Sequence, residues 1–160
     1  MAVSTSHSTS MLDALEIRHP VYPPAAFRFV VDGLGFTTDR AVGQYAAEGL
    51  PLPDMNHVSG QQLCLGLREF AIDRFGMLAP SVLRHWNIAR TEDFGRIVYA
   101  LIELGRLTKS TEDSIEDFHA VFDFDEAFSA SALTAATVGA SVGASRDRSS
   151  PARPPRNTLS

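Results

Sequence analysis

Apolar residues recur along most of this chain at three- and four-residue intervals, the spacing of helices with one buried face. The first such run has Met11, Leu12, Ala14, Leu15 and Ile17 and predicts a short helix over 11–18 that stops before Pro20, because the residue ahead of a proline avoids the helical region. A second helix is expected from about 23 to 35, started by proline and striped with Ala26, Phe29, Val30, Gly33 and Leu34. Residues 37–58 carry Gly49, Pro51 and Pro53 and read as a long connecting loop, with no more than a helical turn around Tyr45.

The next segment is delimited by its own chemistry. Ser59 and Gln62 have capping-box spacing, Gly76 stands where a helix stops, and Leu63, Leu67, Phe70, Ala71 and Phe75 form one face between them. A shorter helix follows near Pro80 with Leu78, Val82, Leu83 and Trp86 on one side, and Trp86 is expected to lock it against the helix that comes next. That helix begins at Thr91 as cap, with Glu92 and Asp93 in its first turn, buries Phe94, Ile97, Val98 and Leu101, and ends at Gly105. Beyond it, "RLTKS" and "FHAVFDF" are spaced to pair as a hairpin around "TEDSIED", before "DEAF" adds a last turn. The expected fold class is mainly α: a small helical domain, winged-helix-like with a short β-hairpin, or alternatively a plain helical bundle.

Composition sets the outline. With 160 residues, 44% hydrophobic and 21% charged, the chain suits a single domain, expected over 11–128 between a disordered N-terminus at 1–10 and a disordered tail at 129–160. The tail is rich in Ser, Ala, Pro and Arg and short of large aliphatics, too little apolar surface to offset the entropy of ordering. Its Pro151–Arg156 run formally fits a PxxP ligand. One cysteine allows no internal disulfide, no basic and apolar leader opens the sequence, and no stretch is apolar enough to span a bilayer; a cytoplasmic location is expected.

Charge separates body from tail. Arg146, Arg148, Arg153 and Arg156 against Asp147 give the tail +3, so within a total of −5 residues 1–128 carry −8. Such a body repels phosphate. The helix at 91–104 would offer a groove Glu92, Asp93, Arg96, Tyr99 and Glu103, and base readout needs the opposite balance. Weak nucleic-acid binding through the arginine tail is the most this composition supports.

Four segments, "FRFVVDGLGFTT", "HVSGQQLCLGLREFAIDRFG", "APSVLRHWNI" and "RTEDFGRIVYALIELGRLTKSTEDSIEDFHAVFDFDEAF", resemble a conserved bacterial family restricted to the Verrucomicrobia and Planctomycetes and described as an uncharacterised repeat protein. The resemblance runs from about Tyr22 to Phe128, leaves out both tails, and departs from the family in a longer loop at 41–54. It implies no activity, cofactor or catalytic residue.

Candidate chemistry is thin. Glu112, Asp113, Glu116, Asp117, Asp123 and Asp125 include enough carboxylates for an acid and a base or for a hard cation, but lack the ligand rhythm and bend glycine of a calcium loop. His57, His85 and His119 are scattered, Cys64 has no basic neighbour in sequence, and Gly33-Leu34-Gly35 lacks a phosphate-binding context. No catalytic, cofactor-binding or metal residue is therefore assigned. The expected function is a non-enzymatic protein-interaction module whose partner, an unidentified protein or a second copy in a homodimer, meets an acidic helix and wing surface at Glu112, Asp113, Glu116, Asp117 and Phe118. A winged-helix DNA-binding regulator is the alternative, and an enzyme or metal binder using the acidic loop a second.

Overall fold

The computed structural model describes residues 2–3, 21–51 and 58–144, with the backbone alone at 2–3 and 139–144. The helix expected at 11–18, the rest of the N-terminal segment, His57, and residues 145–160 with their arginines and PxxP run lie outside the described residues. Within them the chain is a small, mainly α domain.

Helix α1, Pro24–Glu48, starts with proline in its first turn and buries Ala26, Phe27, Phe29, Val30, Gly33 and Leu34. It does not stop near residue 35. The expected loop at 37–58 is instead helical to Glu48 and turns out at Gly49, whose φ of 65° lies in the left-handed region. The Thr37 and Thr38 hydroxyls donate to the carbonyls of Gly33 and Leu34 at 2.7 and 3.0 Å, so these side chains no longer compete for the helix backbone. Gly49 and Pro51 stand at the end of the helix, Pro53 lies outside the described residues, and Gly35 and Gly43 are absorbed into the helix.

Helix α2, Gly60–Phe75, has the expected limits. Gln62 N–H donates to Ser59 Oγ and Ser59 N–H to Gln62 Oε1, at 3.2 and 3.1 Å, and the helix turns out at Gly76. A 3₁₀ turn over Gly76–Leu78 feeds the short helix α3, Ala79–His85. Helix α4, Thr91–Glu103, begins differently from expectation. Thr91 is its first helical residue, and Asp93 Oδ2 satisfies the entrance by accepting from Ala89 and Arg90 N–H at 2.9 and 3.1 Å.

The expected wing hairpin is not formed. Strand β2, Leu107–Thr108, pairs antiparallel with strand β1, Ala2–Val3, placing Ala2 opposite Thr108 and Val3 opposite Leu107. The expected loop closes as a 3₁₀ turn over Ile115–Phe118, and the segment that would have returned, 118–124, opens on Phe118, a fully buried side chain, and continues in turns and bends instead of a strand. After the short helix α5, Phe124–Ala127, the residues read as tail form helix α6, Ala130–Ala144. Alanine favours helix and Leu133 supplies a buried anchor, so ordering reaches beyond the expected limit at 128.

Helices α1, α2 and α4 enclose the core, led by Phe27, Leu34, Leu63, Leu67, Leu83, Ile97, Leu101, Phe94 and Phe118. Phe29 sits among aromatic rings, with centroids 5.2 Å from Phe70, 5.5 Å from Trp86 and 6.5 Å from Phe94. Trp86 is half-buried and packs on Phe29 and Phe75, so it secures the turn after α3 to α1 and α2 instead of locking α3 to α4. Asn87, at a φ of 60° that asparagine tolerates, donates from Nδ2 to the Val21 carbonyl at 2.7 Å and holds the entry to α1.

Candidate functional site

The acidic segment is partly folded on itself and partly exposed. Asp113 is buried and its Oδ2 accepts from Ser110 N–H at 2.9 Å. Asp117 Oδ2 accepts from Ser114 N–H at 2.9 Å, the reciprocal half of a cap on the 3₁₀ turn. Glu116 is exposed, and the Ser114 hydroxyl that donates to its carboxylate, helped by its own backbone N–H, holds that carboxyl below the ordinary glutamate range. Phe118 fills the space over two glycines: a Cβ at Gly60 or Gly95 would come within 2.8 or 2.9 Å of it. Of the five residues expected to meet a partner, only Glu112 and Glu116 stand fully exposed. Asp113 and Asp117 are turned to backbone N–H groups and Phe118 belongs to the core, since a bulky ring beside two glycines gains more by burial than by waiting for a partner.

This segment and the residues that follow it, to Val121, pack along α4. Tyr99 donates to the Asp113 carbonyl at 3.4 Å, and Lys109 Nζ lies 5.2 Å from the centre of the Tyr99 ring. Glu92 Oε1 accepts from Ala120 N–H at 3.2 Å and pairs with His119 Nδ1 at 2.9 Å, while Thr91 Oγ1 accepts from Val121 N–H. Partial burial alone would raise the Glu92 carboxyl, but hydrogen bonds from its own and the Ala120 N–H, with the charges of His119 and Arg90, hold it below its usual range. Asp93 is buried and also accepts the Tyr22 hydroxyl, at 2.7 Å, and Arg96 Nη1, at 3.2 Å. Burial first, then the bond to Asp93, raises the Tyr22 phenol. These groups tie α4 to both ends of the domain and present no shared reacting position.

Cys64 is fully buried in α2, and burial followed by the Glu92 charge pushes its thiol up to about 12. It is a packing residue and not a nucleophile at neutral pH. His85 and His119 are exposed and far apart in the fold's elements, and among the described residues no three His, Cys, Asp or Glu side chains converge as metal ligands would.

A different feature is open. Between the distal half of α1 and the first turns of α2 lies a cleft of about 630 Å³. Thr37, Ala41 and Tyr45 line it from α1, Leu65 and Gly66 from α2, and Leu50 and Val58 from the two ends of the connection. Arg40, Gln44, Glu48, Gln62 and Glu69 edge it, and Arg40 Nε reaches Glu69 at 3.0 Å. Thr37 packs where a Cβ on Gly66 would overlap it, so the helices touch at the base of the cleft and diverge above. Beyond Leu34 α1 has no buried side chain, and Leu50 and Leu65 are 48% and 50% exposed. The sequence did carry a sign of this. Leu65 falls off the stripe of Leu63, Leu67 and Phe70, and Tyr45 is the one Phe, Tyr or Trp between Thr37 and Val58.

Compared with protein-family models, with curated proteins and with solved structures, the chain matches none.

Proposed function

We propose that this chain is a non-enzymatic protein-interaction module whose contact surface is the cleft between α1 and α2, not the acidic segment. The observation that carries the reading is the helix α1 itself: it continues from Gly35 to Glu48 without a buried side chain and, with Leu50 and Leu65 half exposed beside it, forms an apolar-centred, polar-rimmed surface. That division, apolar centre and charged edge, is the ordinary anatomy of protein interfaces. A helix gains most of its stability from packing, and past Phe36, Thr37 and Arg40, which pack on or pair with α2, the last turns of α1 leave their side chains unburied. The body's charge of −8 favours a protein over nucleic acid as that cover. The proposed kinship of residues 22–128 with the bacterial repeat-protein family adds no activity to this reading.

The test compares two variants of the full chain as bait. Leu65→Asp places a charge in the cleft and should abolish capture of a specific partner, with the fold kept because Leu65 is half exposed. Glu112→Lys with Glu116→Lys should capture as the unaltered chain does. The reverse pattern would return the contact to the acidic segment and end the cleft reading.

A further inference from the structure

Resting on the reading of the cleft as a contact surface, we propose that its occupant is a second copy of this chain, with the distal halves of the two α1 helices packed antiparallel about a two-fold axis at Gln44. At about 100° and 1.5 Å per residue, Thr37, Arg40, Ala41, Gln44, Ala47 and Glu48 share one face of α1. Arg40 and Glu48 stand four residues to either side of Gln44, about 6 Å away in each direction along the axis and about 40° to each side of it. A two-fold rotation that brings this face onto its copy sets position 44 against itself and Arg40 beside Glu48 of the other chain, with Ala41 and Ala47 on the two flanks. Each end of the contact then holds an opposite-charge pair, and the small flanking alanines let the backbones approach. The parallel arrangement sets Arg40 on Arg40 and Glu48 on Glu48, so the charges select one orientation.

The groups are available for this. Arg40 uses Nε on Glu69, both side chains being well exposed, and Glu48 makes no ion pair among the described residues. Two bodies at −8 repel at long range, so a contact between copies needs local opposite-charge pairs; Arg40, set between Glu69 of its own chain and Glu48 of the other, supplies one at each end. Tyr45, Leu50 and Leu65 flank it and supply the apolar area that a charged seam alone lacks.

Sedimentation equilibrium of the full chain tests the proposal. The unaltered chain is expected to be a dimer, Arg40→Glu and Glu48→Arg should each weaken association by about tenfold or more, and the double variant should recover it, since only a self-complementary contact restores both pairs at once. Gln44→Cys should form an intermolecular disulfide on mild oxidation while Asp39→Cys, on the opposite face, should not; the buried Cys64 does not compete. Thermal melts of each variant verify that the fold is kept. A dimer indifferent to the single reversals, or not recovered by the double, overturns the placement. A monomeric chain that still captures a foreign protein through Leu65 overturns the second copy and leaves the cleft reading standing, whereas a monomer with no Leu65-dependent capture removes both.

Discussion

Gly95 of α4 lies directly beneath Phe118, so close that a Cβ at position 95 would come within 2.9 Å of that side chain. Gly35 in α1 is the contrast, with nothing within 4 Å of the same position. Both are glycines inside helices, where glycine costs about 1 kcal/mol relative to alanine. The two differ only in what stands over them.

That contrast gives a prediction of opposite signs. Gly95→Ala should destabilise the domain by about 1–3 kcal/mol, because overpacking outweighs the helix gain. Gly35→Ala should stabilise it by up to about 1 kcal/mol. Urea unfolding of the two variants beside the unaltered chain checks both, and equal shifts for the pair would show that Phe118 is not seated as described.

Acid should loosen the α4 entrance. Glu92 has a carboxyl held below its unfolded value, so its contribution is present above the unfolded glutamate range and is lost as pH falls through the lower folded value. The unaltered chain should therefore lose stability on acidification from about pH 5 downward, and Glu92→Gln should lose less over that interval while starting lower at pH 7. Denaturation midpoints at pH 7, 5 and 4 decide it; parallel curves for the two proteins would rule out Glu92 as a source of the dependence.

Cys64 should be silent in the folded protein. With a buried thiol pushed up to about 12, it should not react with a thiol-specific disulfide reagent at pH 8 within minutes, and should react at once in denaturant. Rapid modification under native conditions would mean that α2 opens locally far more easily than its packing implies.

The features legible in the sequence were those in which a local rule and the tertiary packing agree. Ser59, Gln62 and Gly76 bound α2 because a capping box and a stop glycine need only their own helix. Gly105, at a φ of 67°, ends α4 for the same reason. Local rules failed where the deciding partner is distant in sequence. Leu107 and Thr108 have strand character, but their partner is the N-terminus and not residues 118–124. The run 118–124 that reads as a returning strand also contains Phe118, whose place is fixed by Gly60 and Gly95 on two other helices. Ala130–Ala144 lacks apolar periodicity, and among its described side chains Leu133 is the one buried anchor. The cleft was the least legible, because it depends on α1 running through residues 35–48, a stretch that the cluster of Gly49, Pro51 and Pro53 beyond it makes read as part of a connecting loop.

The acidic segment itself supplies the last prediction, since its four carboxylates look equivalent in sequence and are not so in space. Glu112 and Glu116 are exposed, and exposed charges change stability little. Reversing both to lysine should leave the denaturation midpoint essentially where it is in the unaltered chain. Asp113 is buried and accepts the Ser110 N–H, and Asp117 accepts the Ser114 N–H that opens the 3₁₀ turn. Asp113→Lys or Asp117→Lys removes an acceptor, strands a backbone donor and, at position 113, brings a charge where a carboxylate was enclosed. Each should cost about 1–3 kcal/mol, with the larger loss at Asp113. Because Asp117 adjoins the seat of Phe118 over Gly60, its loss should also loosen that ring, visible as faster amide exchange at the end of the turn. Equal tolerance of lysine at all four positions would return the segment to a solvated loop and unseat Phe118 with it.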